Sequence, residues 1–399
     1  MRILNYILIL CVALLASGCD NGTIFPEGDD DNVIVVPDGG PYIYLDAEVG
    51  NKTKGTLIEG KELQDAFGAY GFTYDFTNRW TTYRATATPN VFKDNNDNFV
   101  AVQKVTYNEG IYSYEPVQKW SGGKYTFFAY YPYYDDNDNN NKKKSVTASG
   151  KDVEGTPYVE YKPVDFLIST EYHTDVMTAM FQDTSLSSSQ YVDFDFQHRL
   201  SAIEVVALNF YEYNHEDAGG NVTTEKIEIE ITDLNITFEN LKYKEAKLYL
   251  DSSIPSENTS LDDDDEPSYD IVSSGSKSKS IAYSSTSEFQ RIDPDQTLLV
   301  IPQTNEDLKV TTTVSFKKKC PDGTYLTEIP EGAVEGKDYE IQDGVVTYIS
   351  SKTTEFGQAL KAGSRYFIQI TFTSAAVSIN ILTSAEWEDL AEDVYHEFE

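Results

Sequence analysis

Hydrophobic and polar positions alternate most cleanly over residues 191–202. Val192, Phe194, Phe196, His198, Leu200 and Ala202 fall on one side, while Asp193, Asp195, Gln197, Arg199 and Ser201 fall on the other. This is the period of two of a half-buried β-strand. From Ile203 the phase slips: Ile203 and Val205 take the formerly polar side, and Val206, Leu208 and Phe210 take the opposite one. The slip predicts a bulge or a stretch covered on both faces. The whole run, 191–210, reads as one long strand of a β-sandwich. His198 lies among its apolar positions, where the expected role is a histidine hydrogen-bonded inside a core.

The same period recurs elsewhere. Ile43, Leu45, Ala47 and Val49 share one face of a first strand over 42–49, and 70–76 is aromatic and strand-like. Residues 62–70 fit either a short helix or an extended segment. Thr81, Tyr83, Ala85 and Ala87 oppose Thr82, Arg84, Thr86 and Thr88 in a weaker alternation that Pro89 ends. An aromatic strand ending at Trp120 leads through Ser121-Gly122-Gly123 into a second, in which Tyr125, Phe127, Ala129 and Tyr131 share a face. Phe128 and Tyr130 occupy its other face, as in a central strand between two layers, and Pro132 stops it. This aromatic stripe is read as core packing rather than a sugar-stacking platform. The polar connection 184–190 marks a boundary between two halves.

In the second half Ile227, Ile229 and Ile231 alternate. After a phase break so do Leu234, Ile236 and Phe238, which fits two strands or one bulged strand. Residues 252–280 lack a period and read as a long loop or insertion. Leu298 to Ile301 forms a short strand stopped by Pro302, and Leu308, Val310, Thr312, Val314 and Phe316 form another. After a loop-like stretch, 321–344, the residues Tyr366, Ile368, Ile370 and Phe372, a turn at 374–376, and Val377, Ile379 and Ile381 predict a β-hairpin.

Composition agrees. The 29 Tyr and 20 Phe, with many Thr, Ile and Val, favour strands over helices, so the expected class is all-β. A chain of 399 residues has room for two or three domains. Its 66 acidic against 31 basic residues give a net charge of −35, which repels nucleic acid and anionic lipid. Three cysteines occur, two of them, Cys11 and Cys19, near the N-terminus, so the body holds Cys320 alone and no intramolecular disulfide.

Arg2, the apolar run 3–15 and the small residues Ala16, Ser17 and Gly18 before Cys19 have the layout of a secretory signal over 1–18. The junction resembles a bacterial lipobox, which implies cleavage before Cys19 and lipidation of that residue, although Ala16 stands where Leu is more usual. Residues 19–40, with Glu27, Asp29, Asp30 and Asp31, read as an acidic solvated tether. Beyond the first strand, Gly50-Asn51-Lys52-Thr53-Lys54-Gly55 is a basic, glycine-flanked tip of the kind proteases nick, with no arginine between Arg2 and Arg79.

Signals for catalysis are weak. The histidines, His173, His198, His215 and His396, are scattered, and no nucleophile motif, metal spacing or phosphate loop appears. No catalytic, cofactor-binding or metal-binding residue is assigned. Residues 135–144, DDNDNNNKKK, alternate acidic and amide oxygens but lack the glycine and closing glutamate of a calcium loop. They read as a surface turn, as does the run 94–98.

Phe67-Gly68-Ala69-Tyr70, Trp120 with 125–133 (YTFFAYYPY), 196–205 (FQHRLSAIEV), Ile301-Pro302-Gln303, and 362–371 (AGSRYFIQIT) with Trp387 resemble, in that order and behind Cys19, the fimbrillin family of type V pilus proteins. The resemblance implies two tandem transthyretin-like β-sandwiches, 41–189 and 190–399, behind a lipoprotein signal and tether. It also implies a non-enzymatic structural or adhesive fimbrial subunit on the outer membrane, anchored through lipid on Cys19. In polymerising relatives a surface protease removes the first strand, and a strand of the next subunit fills the groove. Here the cut would fall at Lys52 or Lys54. Otherwise the protein is an uncut anchor or tip subunit. The implied partners are other fimbrial subunits and a surface receptor. The acidic end, with Val394, Tyr395 and Phe398, is either a frayed end or a strand seeking another subunit's groove. The competing function is a surface glycan-binding lipoprotein.

Overall fold

The alternation at 191–202 ends in a crossing between sheets. The computed structural model describes residues 42–384 apart from 50–62, 64–65, 109–110, 135–145, 152–154, 164, 167, 169–172, 186–190, 217–218, 263–264, 274–276, 287, 294–296 and 305–306. In it the run divides into Tyr191–His198 and Ser201–Phe210, which join different sheets. This corrects the single long strand. The physical cause lies at the junction: the Arg199 guanidinium donates to Thr178 Oγ1 at 2.9 Å and to the Tyr249 carbonyl at 2.8 Å, fixing the chain where it changes layer.

Among the described residues the strands are, in chain order, β1 Tyr44–Val49, β2 Phe67–Tyr74, β3 Gln103–Asn108, β4 Ile111–Ser113, β5 Lys124–Tyr131, β6 Val146–Lys151, β7 Pro157–Tyr161, β8 Met177–Thr184, β9 Tyr191–His198, β10 Ser201–Phe210, β11 Glu212–Glu216 and β12 Val222–Lys226. They continue with β13 Glu228–Glu239, β14 Tyr243–Tyr249, β15 Glu257–Ser260, β16 Ser268–Val272, β17 Lys279–Ile281, β18 Gln290–Arg291, β19 Leu298–Val300, β20 Lys309–Lys319, β21 Tyr339–Gln342, β22 Val345–Glu355, β23 Arg365–Thr373 and β24 Val377–Ser384. Among the described residues α-helix is confined to one turn, α1, Trp80–Tyr83. The fold is all-β, as the composition predicts.

The first sheet runs β1-β9-β8-β5-β2-β3-β4, and a smaller one runs β15-β14-β7-β6, so residues on both sides of 190 share each. A third runs β18-β10-β23-β24 with β19 on β10, and a fourth runs β16-β13-β20-β22-β21 with β17 on β13. Three cores follow from the faces these strands bury. Phe67, Phe127, Phe194 and Phe196 pack on one side of the first sheet. Tyr70, Phe72, Phe128 and Tyr130 on its other side meet Val159, Tyr161, Leu248 and Leu299. Ile203, Val205, Ile231, Ile236, Val314, Ile368 and Ile370 fill the sandwich of the third and fourth sheets. β5 is therefore covered on both faces, as its pattern predicts, and so is β10. Within the first sheet the Tyr130 ring lies against the backbone of Gly68, where any Cβ would overlap it.

Several elements depart from the pattern. Over 81–88, where the alternation suggests a strand, the chain instead forms α1 and a 3₁₀ turn, Arg84–Thr86, followed by two irregular residues. Burial of Trp80 against Phe72 at 4.8 Å and Phe128 at 5.0 Å outweighs the weak alternation. The aromatic strand before Ser121 is only β4, because Pro116 supplies no N–H for a ladder. The stretch 252–280 contains β15, β16 and the start of β17, whose mostly polar side chains hid them, and 321–344 contains β21. The run 227–238 is one strand with a register shift between Ile231 and Asp233. The terminal hairpin, β23 with β24, lies where predicted.

Candidate functional site

Three side chains place β1. Ile43, Leu45 and Ala47 alternate along the extended chain and are all buried, together with Phe67, Phe194 and Phe196. Phe67 meets Phe194 and Phe196 edge to face at 5.7 and 5.4 Å, and those two rings lie tilted 6.1 Å apart. On the outer face the Tyr44 ring stacks on Tyr191 at 5.4 Å, and Asp46 is exposed. Burying the three inner side chains contributes roughly 4–6 kcal/mol, an upper figure.

The two edges of β1 are held differently. On one side a parallel ladder to β9 runs from Tyr44 opposite Tyr191 to Val49 opposite Phe196. On the other the partner is the irregular segment after β4. The Ile43 N–H donates to the Gln118 carbonyl at 2.9 Å, and the buried Tyr114 hydroxyl donates to the Ile43 carbonyl at 2.8 Å. Burial pushes the Tyr114 pKa up, so the hydroxyl keeps its proton. The Lys119 ammonium lies 5.2 Å over the Tyr42 ring. Thus β1 ends its sheet, laddered along one edge and clasped by a few contacts along the other. The described chain leaves at Val49 and resumes at Leu63, which is buried in the same core and whose N–H donates to Tyr112 Oη at 2.9 Å.

The sequence identified β1 but missed its clasp, because Tyr114 and Gln118 belong to no periodic segment. Cys19, Lys52 and Lys54 lie outside the described residues, as do 135–144, Trp387 and His396.

The remaining histidines are not gathered into a site. His198 is buried with Nδ1 2.9–3.0 Å from the Asp175 carboxylate, as expected of a core histidine. His173 Nδ1 accepts the Leu299 N–H at 2.9 Å, and burial pulls its pKa down to about 3. His215 sits on the exposed β11. In the run 94–98 the Asp94 carboxylate accepts N–H groups of Asn96 and Asn98 at 2.8 and 2.9 Å, and these bonds hold its pKa below the usual range. It caps a turn. No cluster of three metal-ligating side chains occurs among the described residues. The aromatic stripe of β5 is buried on both faces and presents no ring platform. Cys320 is buried and free, with its pKa raised by burial.

A fimbrial protein from Bacteroides vulgatus is similar in fold, with a TM-score of 0.53 at 17% identity over 87% of this chain and 99% of that one. The tip fimbrial protein Mfa3 from Porphyromonas gingivalis, in a C-terminally truncated form, aligns over 86% of this chain and 98% of its own at 9% identity and a TM-score of 0.32. No curated protein matches the chain. The model of the fimbrillin-like family matches residues 62–387, most of the sequence, and the chain belongs to that family.

Proposed function

We propose that β1 is a replaceable strand, and that this fimbrial subunit assembles when a strand of another subunit takes its place beside β9. As a member of the fimbrillin-like family the protein is a structural or adhesive component of a fimbria, acting at the cell surface with other fimbrial subunits. The observation that carries the proposal is the position of β1. Among the described residues it ends its sheet and is laddered to one strand, β9, and with the preceding Ile43 it buries Leu45 and Ala47. Its removal would uncover an apolar groove and a row of backbone donors and acceptors, which is what β-strand addition requires.

In this reading the chain is a surface lipoprotein attached to the outer membrane through Cys19, with 19–40 as tether. The first sheet, with β9 at the groove, serves as the strand-accepting part, and the sandwich of the third and fourth sheets is the distal one. A cut at Lys52 or Lys54 frees β1. N-terminal sequencing of surface-assembled protein tests this: new termini at Thr53 or Gly55 are expected. Termini only at Cys19 in all assembled material would discard the exchange and leave an uncut anchor.

A further inference from the structure

We infer that the β1 groove is built for a strand from a different protein, one with large, large and small apolar residues facing inward and basic or neutral residues facing outward. The inference rests on the strand-exchange reading and names its partner's chemistry.

The inner half of this specification is set by size. Ile43, Leu45 and Ala47 succeed one another along the buried face, so the groove takes two branched side chains and then narrows to a methyl group. A bulky residue at the Ala47 position would press into a closely packed core.

The outer half is set by charge. In the parallel ladder Asp46 stands opposite Asp193, and Glu48 opposite Asp195. Partners in register share a face of the sheet, and Asp46, Asp193 and Asp195 are all exposed on the outer one. Like charges directly opposite one another weaken a strand pair, and opposite charges strengthen it. β1 therefore fits its groove on the inside and is mismatched on the outside. An incoming strand that keeps the inner pattern and carries a basic or neutral residue in place of Asp46 gains opposite Asp193.

The same charges argue against a second copy of this chain as the occupant. Another β1 brings the same two acids. Residues 385–399, AEWEDLAEDVYHEFE, hold seven acidic residues and no Lys or Arg, so they would set further acids beside Asp193 and Asp195. A net charge of −35 adds repulsion between copies.

The test uses the full chain with a specific-protease site inserted between Lys54 and Gly55, cut and confirmed folded. Two fluorescent peptides compete for it: YIYLDAEV, the sequence 42–49, and the same peptide carrying Asp46→Lys and Glu48→Lys. The lysine peptide is expected to bind roughly tenfold tighter. That preference should shrink between ~0.05 and ~0.5 M salt and disappear when the chain carries Asp193→Asn and Asp195→Asn. Equal affinities, tighter binding of the native peptide, or a preference indifferent to salt would overturn the charge specification while leaving strand exchange intact. If neither peptide binds the folded, cut chain, strand exchange itself is wrong and the specification goes with it.

Discussion

The Tyr114 hydroxyl reaches across 71 positions of sequence to donate to the backbone carbonyl of Ile43 at 2.8 Å. It is the buried half of the clasp on the edge of β1 that β9 does not hold. Tyr114→Phe keeps the ring and leaves that carbonyl without its donor, so a loss of about 1–2 kcal/mol is expected. The effect should be local. Hydrogen exchange should quicken at the backbone amides of β1 more than at those of β13, and uniform change across both strands would show that the bond does not hold β1 in particular.

The two faces of β1 should respond oppositely to substitution. Leu45→Ala removes a buried branched side chain and should cost ~2–4 kcal/mol in urea unfolding. Asp46→Asn relieves the pairing with Asp193 and should be neutral or stabilising by a few tenths of a kcal/mol. A loss from Asp46→Asn comparable to that from Leu45→Ala would contradict the assignment of inner and outer faces.

His173 ties stability to pH. Its ring is stacked on Phe166 at 5.5 Å and accepts the Leu299 N–H, and its pKa of about 3 lies below the ordinary value near 6.5. Between those values the unfolded chain binds the extra proton, so stability rises with pH. The contribution is complete above about pH 6.5 and is lost on acidification toward pH 3, at about 1.4 kcal/mol per pH unit. His173→Asn retains an acceptor and removes the titration. The stability difference between wild type and variant should change by that slope between pH 6 and 4, and parallel curves would exclude the histidine as its source.

Glu204 on β10 lies between two arginines, with Arg365 Nε at 2.8 Å and Arg291 Nε at 3.2 Å from its carboxylate. Arg365 and Glu204 are both buried. Arg365→Met should cost ~3–5 kcal/mol by leaving a buried carboxylate short of countercharge. Adding Glu204→Gln should recover much of that loss, and a double-mutant cycle in thermal or urea unfolding measures the coupling. Additive losses would mean that the two residues act separately.

Much of this fold was legible wherever one face of a strand is wet. β9, β13, β20 and the β23–β24 hairpin alternate cleanly because each turns one side to a core. The pattern fails where both sides are alike. β15 is polar all round, β11 and β12 form an exposed ribbon, and β10 is buried on both faces, so its end against β9 shows only as a phase slip. α1 was illegible for another reason: one tryptophan, Trp80, decides it from outside the local pattern. For the candidate site, the strand and its inner residues were readable, whereas its parallel partner was not. The opposition of Asp46 to Asp193 is a matter of register, which no stretch of sequence specifies alone.

The crossing at Arg199 has a mechanical meaning. A strand lying parallel to β9 loads its ladder in shear when pulled along its length, so its hydrogen bonds resist together instead of opening one by one. β9 continues through two residues into β10, an interior strand of the next sheet. Tension applied along β1 thus enters the second half along continuous backbone, with the Arg199 guanidinium riveting the corner, and no slack linker intervenes to stretch first.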